Sequence, residues 1–162
     1  MLCETDIEVS WRARPQGFVA LMSLYESNYL RFLRLAGDPA RLSGTLISSV
    51  AGDCQLQLAV IEHMRYTSSL ALTYLLPQTA AAPAPPLERL PDLKLRAYHD
   101  ARLLEVETLQ QPAQRRRSSG ADGSRFWGRA PGERELHQRW VRNMMLNKWL
   151  EYCADRGHRF TG

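Results

Sequence analysis

The sequence predicts an α+β fold: an antiparallel sheet of about five strands, covered on one face by an N-terminal and a C-terminal helix. Two observations carry this. Apolar residues recur at steps of three and four in one stretch near each end of the chain, and at every second position in the stretches between them. Where the links between alternating stretches are free of proline runs, they are too short for the crossover that parallel strands require. Helices and sheet must then share one core as two packed layers.

At 162 residues the chain can bury about two thirds of its unfolded surface, so residues 1–162 are expected to form a single domain. Apolar residues at 44% and charged residues at 23% are ordinary globular usage and exclude wholesale disorder.

The first helix is predicted over Phe18 to Ala36, where Phe18, Leu21, Met22, Tyr25, Tyr29, Phe32 and Leu33 form one stripe. Gly37-Asp38-Pro39 stops it, because glycine suits a positive φ and proline cannot continue the ladder. Strands follow at Leu42–Val50 and Cys54–Glu62 around Ala51-Gly52-Asp53, then at Thr67–Leu75 after the short link His63-Met64-Arg65-Tyr66. Residues 77–92 form an Ala/Pro connector that cannot donate regular ladder bonds. Leu93 to Leu109 is a hairpin: closing it at Tyr98–Ala101 pairs Leu95 with Leu104, Leu93 with Val106 and Lys94 with Glu105. Residues 112–132 are an Arg/Gly/Ser-rich loop within the domain. The last helix is predicted from Glu133 to Arg156, with Val141, Met145, Leu146, Trp149, Tyr152 and Cys153 facing the core. Trp140 and Met144 fall off that stripe and are candidates for a homodimer contact.

Charge is uneven: residues 1–110 carry 10 Lys/Arg against 12 Asp/Glu, and residues 111–162 carry 11 against 5. A basic C-terminal part can attract phosphates. Arg115, Arg116, Arg117, Arg125 and Trp127, in the 112–132 loop, mix cations with an aromatic as single-stranded nucleic-acid binders do, although a solvated loop has the same composition. Cys3, Cys54 and Cys153 are odd in number and far apart, which fits a reducing compartment and no disulfide framework. The N-terminus has acids where a secretion signal needs positive charge, and no apolar run approaches the roughly 18 residues of a membrane span. A cytoplasmic protein is expected.

A meander would bring the two hairpin turns to one rim of the sheet, gathering Glu62, His63, Arg65, Tyr66, Arg96, Tyr98, His99 and Asp100. Such a group offers guanidiniums to grip an anion, an imidazole for proton transfer and a carboxylate to orient it. The plain alternative is that hairpin turns collect polar residues because they face water. No metal site is expected, since the four histidines lack ligand spacing, and no cofactor, since neither GxxxxGK[ST] nor GxGxxG occurs. A nucleophile motif such as GxSxG is also missing.

Four stretches, LMSLYESNYLRFLRL (Leu21–Leu35), VIEHMRYTSSLAL (Val60–Leu72), LRAYHDARLLEV (Leu95–Val106) and NMMLNKWLEYC (Asn143–Cys153), resemble the YqiB-like bacterial domains of unknown function. The resemblance implies a small cytoplasmic bacterial protein and supplies no reaction, cofactor or catalytic residue. It singles out Glu26, Asn28 and Tyr29 besides the rim residues.

These observations favour a non-enzymatic binding or adaptor module whose polar rim receives an anionic small molecule or partner peptide. The rivals are an enzyme using His99 for proton transfer on a phosphorylated or carboxylated metabolite, and nucleic-acid binding through the Arg115–Arg117 loop.

Overall fold

The computed structural model describes residues 17–76, 89–110 and 131–160. Helix α1 spans Phe18–Ala36. Strands β1 (Thr45–Ser48), β2 (Gln55–His63), β3 (Thr67–Leu75), β4 (Arg89–Tyr98) and β5 (Leu103–Gln110) precede helix α2 (Pro131–Asp155). The strands form one antiparallel sheet in the order β1-β2-β3-β4-β5, an uninterrupted meander. This is the α+β arrangement the two periodicities require.

Helix α1 ends where its sequence stops it: Gly37 takes φ 79° and donates its N–H to Leu33 O at 2.9 Å. The Asp38 side chain then accepts from Ala40 N–H at 2.9 Å and starts a single 3-10 turn over Pro39–Arg41. Both helices pack on the sheet face that carries Leu56, Leu58, Leu70, Leu72, Leu93 and Leu95, all at most 1% exposed, with Phe32 and Leu146 from the helices. Contacts advance in step along α1 and α2, from the cluster of Ala20, Leu24 and Trp140 to Asn28 with Asn143 and Ser27 with Asn147, so the helices run parallel. No described element covers the other face, which carries polar pairs such as Thr73–Asp92 and Tyr98–Glu105.

Four expectations need correction. Strand β1 is shorter than Leu42–Val50; Gly44 bends the chain with φ 68° before it. The connector yields Arg89–Asp92 to β4, and Pro91 is tolerated there because it falls at the register break between Thr73↔Asp92 and Leu75↔Arg89. The β4–β5 loop is His99–Arg102, two residues later in register than predicted, so Leu95 faces Val106 and Arg96 faces Glu105. Arg102 closes it with φ 54°, a conformation without a glycine to announce it. A shift of two keeps every side chain on its predicted face, and a break between Lys94 and Leu95 then moves the pairing to Leu93↔Leu109.

The fourth correction concerns α2. Its buried line is Trp140, Asn143, Leu146, Asn147, Leu150 and Cys153, whereas Val141, Met145 and Tyr152 are exposed. Trp140, 7% exposed, packs with Ala20, Leu21, Leu24 and Tyr25, and Met144 packs against the same group. Trp140 is thus part of the chain's own core. The rotation follows from buried polar side chains: Asn143 Oδ1 accepts from Val106 N–H at 2.9 Å and Asn28 Nδ2 donates to Leu104 O at 3.4 Å, satisfying the outer edge of β5.

Candidate functional site at the sheet rim

The meander brings the β2–β3 and β4–β5 turns to one rim, and a backbone bond fastens them: His99 N–H donates to Tyr66 O at 2.9 Å. Within the first turn Met64 N–H donates to Thr67 O at 2.8 Å. A register shift between Val60 and Glu62 puts His63 opposite Ser68, on the helix-covered side of the sheet. Ser68 occupies the alternation that continues as Leu70 and Leu72, and it is 1% exposed.

The outcome is a chain of three side chains. Ser68 Oγ lies 2.9 Å from His63 Nδ1 and 2.8 Å from His99 Nε2, and the two imidazole centroids are 5.5 Å apart with planes tilted by 31°. Residues 61–66 are all exposed, among them Met64 (50%) and Tyr66 (54%). Arg65 Cζ stands 5.1 Å from the Tyr66 ring centroid, and Arg102 Cζ 5.6 Å from that of Tyr29 on α1.

The predicted rim residues divide between the two faces. Arg65, Tyr66 and His99 are neighbours through the inter-turn bond and the Arg65–Tyr66 stack. Arg96 pairs in register with Ser69, one residue on from Ser68, so its side chain lies on the opposite face, where it binds Glu107 together with Lys94. Tyr98 shares that face and donates to Glu105 at 2.7 Å; partial burial, then the Glu105 carboxylate, raise its phenol above the ordinary value. Glu62 faces Ser69 on this side and is exposed. Asp100 is exposed and does not orient His99, whose ring is held by Ser68. Arg115, Arg116, Arg117, Arg125 and Trp127 lie outside the described residues.

His63 and His99 meet at the rim as the meander predicts, and the residue that the sequence reading lacks is Ser68, which bridges them. The available signal was a serine at the rim end of an apolar alternation, Ser68-x-Leu70-x-Leu72. A second polar group escaped notice at the far end of the sheet. His158, 1% exposed, lies with Nδ1 3.0 Å from Ser48 Oγ and Nε2 3.1 Å from Asp53 Oδ2, and Tyr74 donates to the same carboxylate at 3.3 Å. Burial works against the Asp53 charge, yet bonds from Cys54 N–H, His158 and Tyr74 hold its carboxyl below the ordinary value. Burial pushes the Cys153 thiol up to about 11, and Tyr74 above its ordinary value through burial and then Cys153. Arg159 N–H donates to Ser48 Oγ and Phe160 N–H to Leu35 O, so this group fastens the C-terminal residues to β1 and α1.

Among the described residues no three His, Cys, Asp or Glu side chains gather as metal ligands, and no helix is long and apolar enough to cross a membrane. Fold and rim together define a small α+β protein of meander type, with two parallel helices and a histidine-bearing hairpin rim. The chain belongs to the family described as "Protein of unknown function (DUF1249)", whose model matches residues 31–159. It is 32% identical over 144 residues to the uncharacterized protein YqiB of Escherichia coli strain K12, covering 86% of this chain and 90% of the relative. The YqiB proteins of strains O6:H1 and O157:H7 match to the same extent. No solved structure matches.

Proposed function

We propose that this protein is a binding or adaptor module of the bacterial cytoplasm, and that its rim docks an acidic segment of a partner protein. One observation carries the reading: the β2–β3 turn holds Met64, Arg65 and Tyr66 out in solvent while the bond from His99 fastens it to the neighbouring loop. Met, Arg and Tyr are side chains enriched at protein interfaces, and water is a poor environment for two large apolar groups side by side. A small molecule needs a concave site, whereas six consecutive exposed residues, 61–66, favour a protein surface. Arg65 and Arg102 supply cations for carboxylates. The free thiols of Cys54 and Cys153 suit a reducing compartment.

Proton transfer by His99 is the second reading, favoured by the Ser68–His99 bond. It lacks the carboxylate that was expected to orient the ring, since Asp100 is turned to solvent.

Site-specific photo-crosslinking tests the docking. A benzophenone amino acid is placed at Met64, at Tyr66 and, as a control, at exposed Ile47 on β1. The full chain is expressed in Escherichia coli. A discrete adduct at 64 and 66, lost on Arg65→Glu and mapped to an acidic segment of the partner, is expected. Equal labelling from position 47, or adducts indifferent to Arg65→Glu, would refute the proposal.

A further inference from the structure

We propose that His63, Ser68 and His99 act as one proton-holding unit that sets the charge of the rim. The argument begins with the serine. A hydroxyl has a single proton to donate and lone pairs to accept with, and Ser68 Oγ is buried between two ring nitrogens at 2.9 and 2.8 Å. Full satisfaction therefore requires one imidazole to donate to Ser68 and the other to accept from it. In one arrangement His63 Nδ1–H donates, Ser68 donates to His99 Nε2, and the outward His63 Nε2 is bare. In the mirror arrangement His99 Nε2–H donates, Ser68 donates to His63 Nδ1, and the outward His99 Nδ1 is bare.

A first added proton goes to whichever outward nitrogen is bare, and no bond in the chain is broken. Passing one proton through Ser68 moves the cation from one ring to the other. A second proton has only the nitrogen that accepts from Ser68 to bind. It forces both rings to donate, strips the buried hydroxyl proton of its acceptor, and sets two cations with centroids 5.5 Å apart. One added proton thus leaves the chain of bonds whole, and a second breaks it.

The fixed charges around it leave that proton decisive. Glu62 and Arg65 stand on the β2–β3 hairpin, and Asp100 and Arg102 on the β4–β5 loop. They amount to two cations against two anions. From α1, Tyr29 lies beneath Arg102; the Tyr98 phenol is turned to Glu105 on the other face. Filling the unit adds one positive charge to the rim. The consequence rests on the docking proposed above: an acidic segment is held more tightly as the unit fills.

The test needs no partner, so the unit and the docking can fail separately. Ring-nitrogen chemical shifts of His63 and His99 are followed in the intact 15N-labelled protein across the histidine range, about pH 5 to 8. The expected result is that each ring senses the protonation of the other, as groups sharing one hydrogen-bond chain do. Ser68→Ala should uncouple them, so that each ring follows a single curve of its own. His63 is exposed, and His63→Gln should leave His99 with one step, which keeps the test available whatever Ser68→Ala does to folding. Independent single-step titration of both rings in the unmodified protein, unchanged by either substitution, overturns the proposal.

Discussion

Asn143 Oδ1 accepts the Val106 N–H at 2.9 Å, so a helix side chain takes the place of a sixth strand at the β5 edge. Asn143 is fully buried and also donates to Arg139 O at 2.8 Å, the carbonyl one turn earlier in α2. Asn143→Leu keeps the branched outline of the side chain with somewhat greater bulk and leaves the Val106 amide without an acceptor. A buried unmade bond costs about 1–3 kcal/mol. Urea unfolding should show a loss in that range, with a rise in aggregation as the edge opens; a variant within about 0.5 kcal/mol of the parent would show the cap to be dispensable.

Trp140→Ala removes a large side chain from the cluster with Ala20, Leu21, Leu24 and Tyr25. The expected loss is about 3–5 kcal/mol, the range for deleting a buried aromatic. The parent's association state should be unaltered in whatever fraction of Trp140→Ala remains folded. Sedimentation that shifts with little change in unfolding midpoint would place Trp140 in an interface instead.

What could be read from sequence followed the strength of each local signal. Helix α1 and strand β3 have the limits expected, because Phe18–Ala36 and Thr67–Leu75 are strongly periodic and bounded by turn residues. The convergence of the two turns rests on the meander as well as on the short links, because β3 and β4 are joined by the long Ala/Pro stretch and still pair antiparallel. The face of α2 did not, because Asn143 and Asn147 are polar residues buried to satisfy an edge strand and a neighbouring helix, and a search for apolar stripes passes over them. The β4–β5 register was missed by two, since Arg102 assumes a positive φ that only glycine or asparagine would have advertised. Arg96 and His99 were gathered into one cluster, although three residues of strand and turn put them on different faces of the sheet.

Asp53 ties acid sensitivity to the C-terminal residues. Its carboxyl is held below the ordinary value in the folded chain, so the folded state binds its proton less readily than the unfolded state. The stabilisation is fully present above the unfolded value of about 3.9 and is lost as pH falls through the lower folded value. Asp53→Asn should therefore lower stability at neutral pH and flatten the decline below about pH 4. A decline as steep as the parent's would assign the acid transition to other carboxylates.

The two described cysteines should differ sharply toward alkylation. Cys153 is fully buried, its thiol raised to about 11, and it lies 3.4 Å from the Tyr74 hydroxyl; Cys54 is only partly buried. Since the thiolate is the reactive form, iodoacetamide at mildly alkaline pH should modify Cys54 first and reach Cys153 only through unfolding. Peptide mass spectrometry with and without urea reads this directly. Equal rates in the folded protein would mean that the end of α2 opens far more often than its buried packing implies.

Arg96 supplies the sharpest control for the rim. Its guanidinium binds Glu107 on the sheet face opposite His99, with Lys94 3.2 Å from the other oxygen of the same carboxylate. All three side chains are about a third exposed, and a pair of this type contributes roughly 0–1 kcal/mol. Arg96→Ala should cost no more than that in unfolding free energy. It should also leave both the crosslinks from Met64 and the coupled histidine titration as they are in the parent, while Arg65→Glu abolishes the crosslinks. Loss of the crosslinks on Arg96→Ala, with folding intact, would mean that the docking surface reaches across the sheet edge onto its polar face.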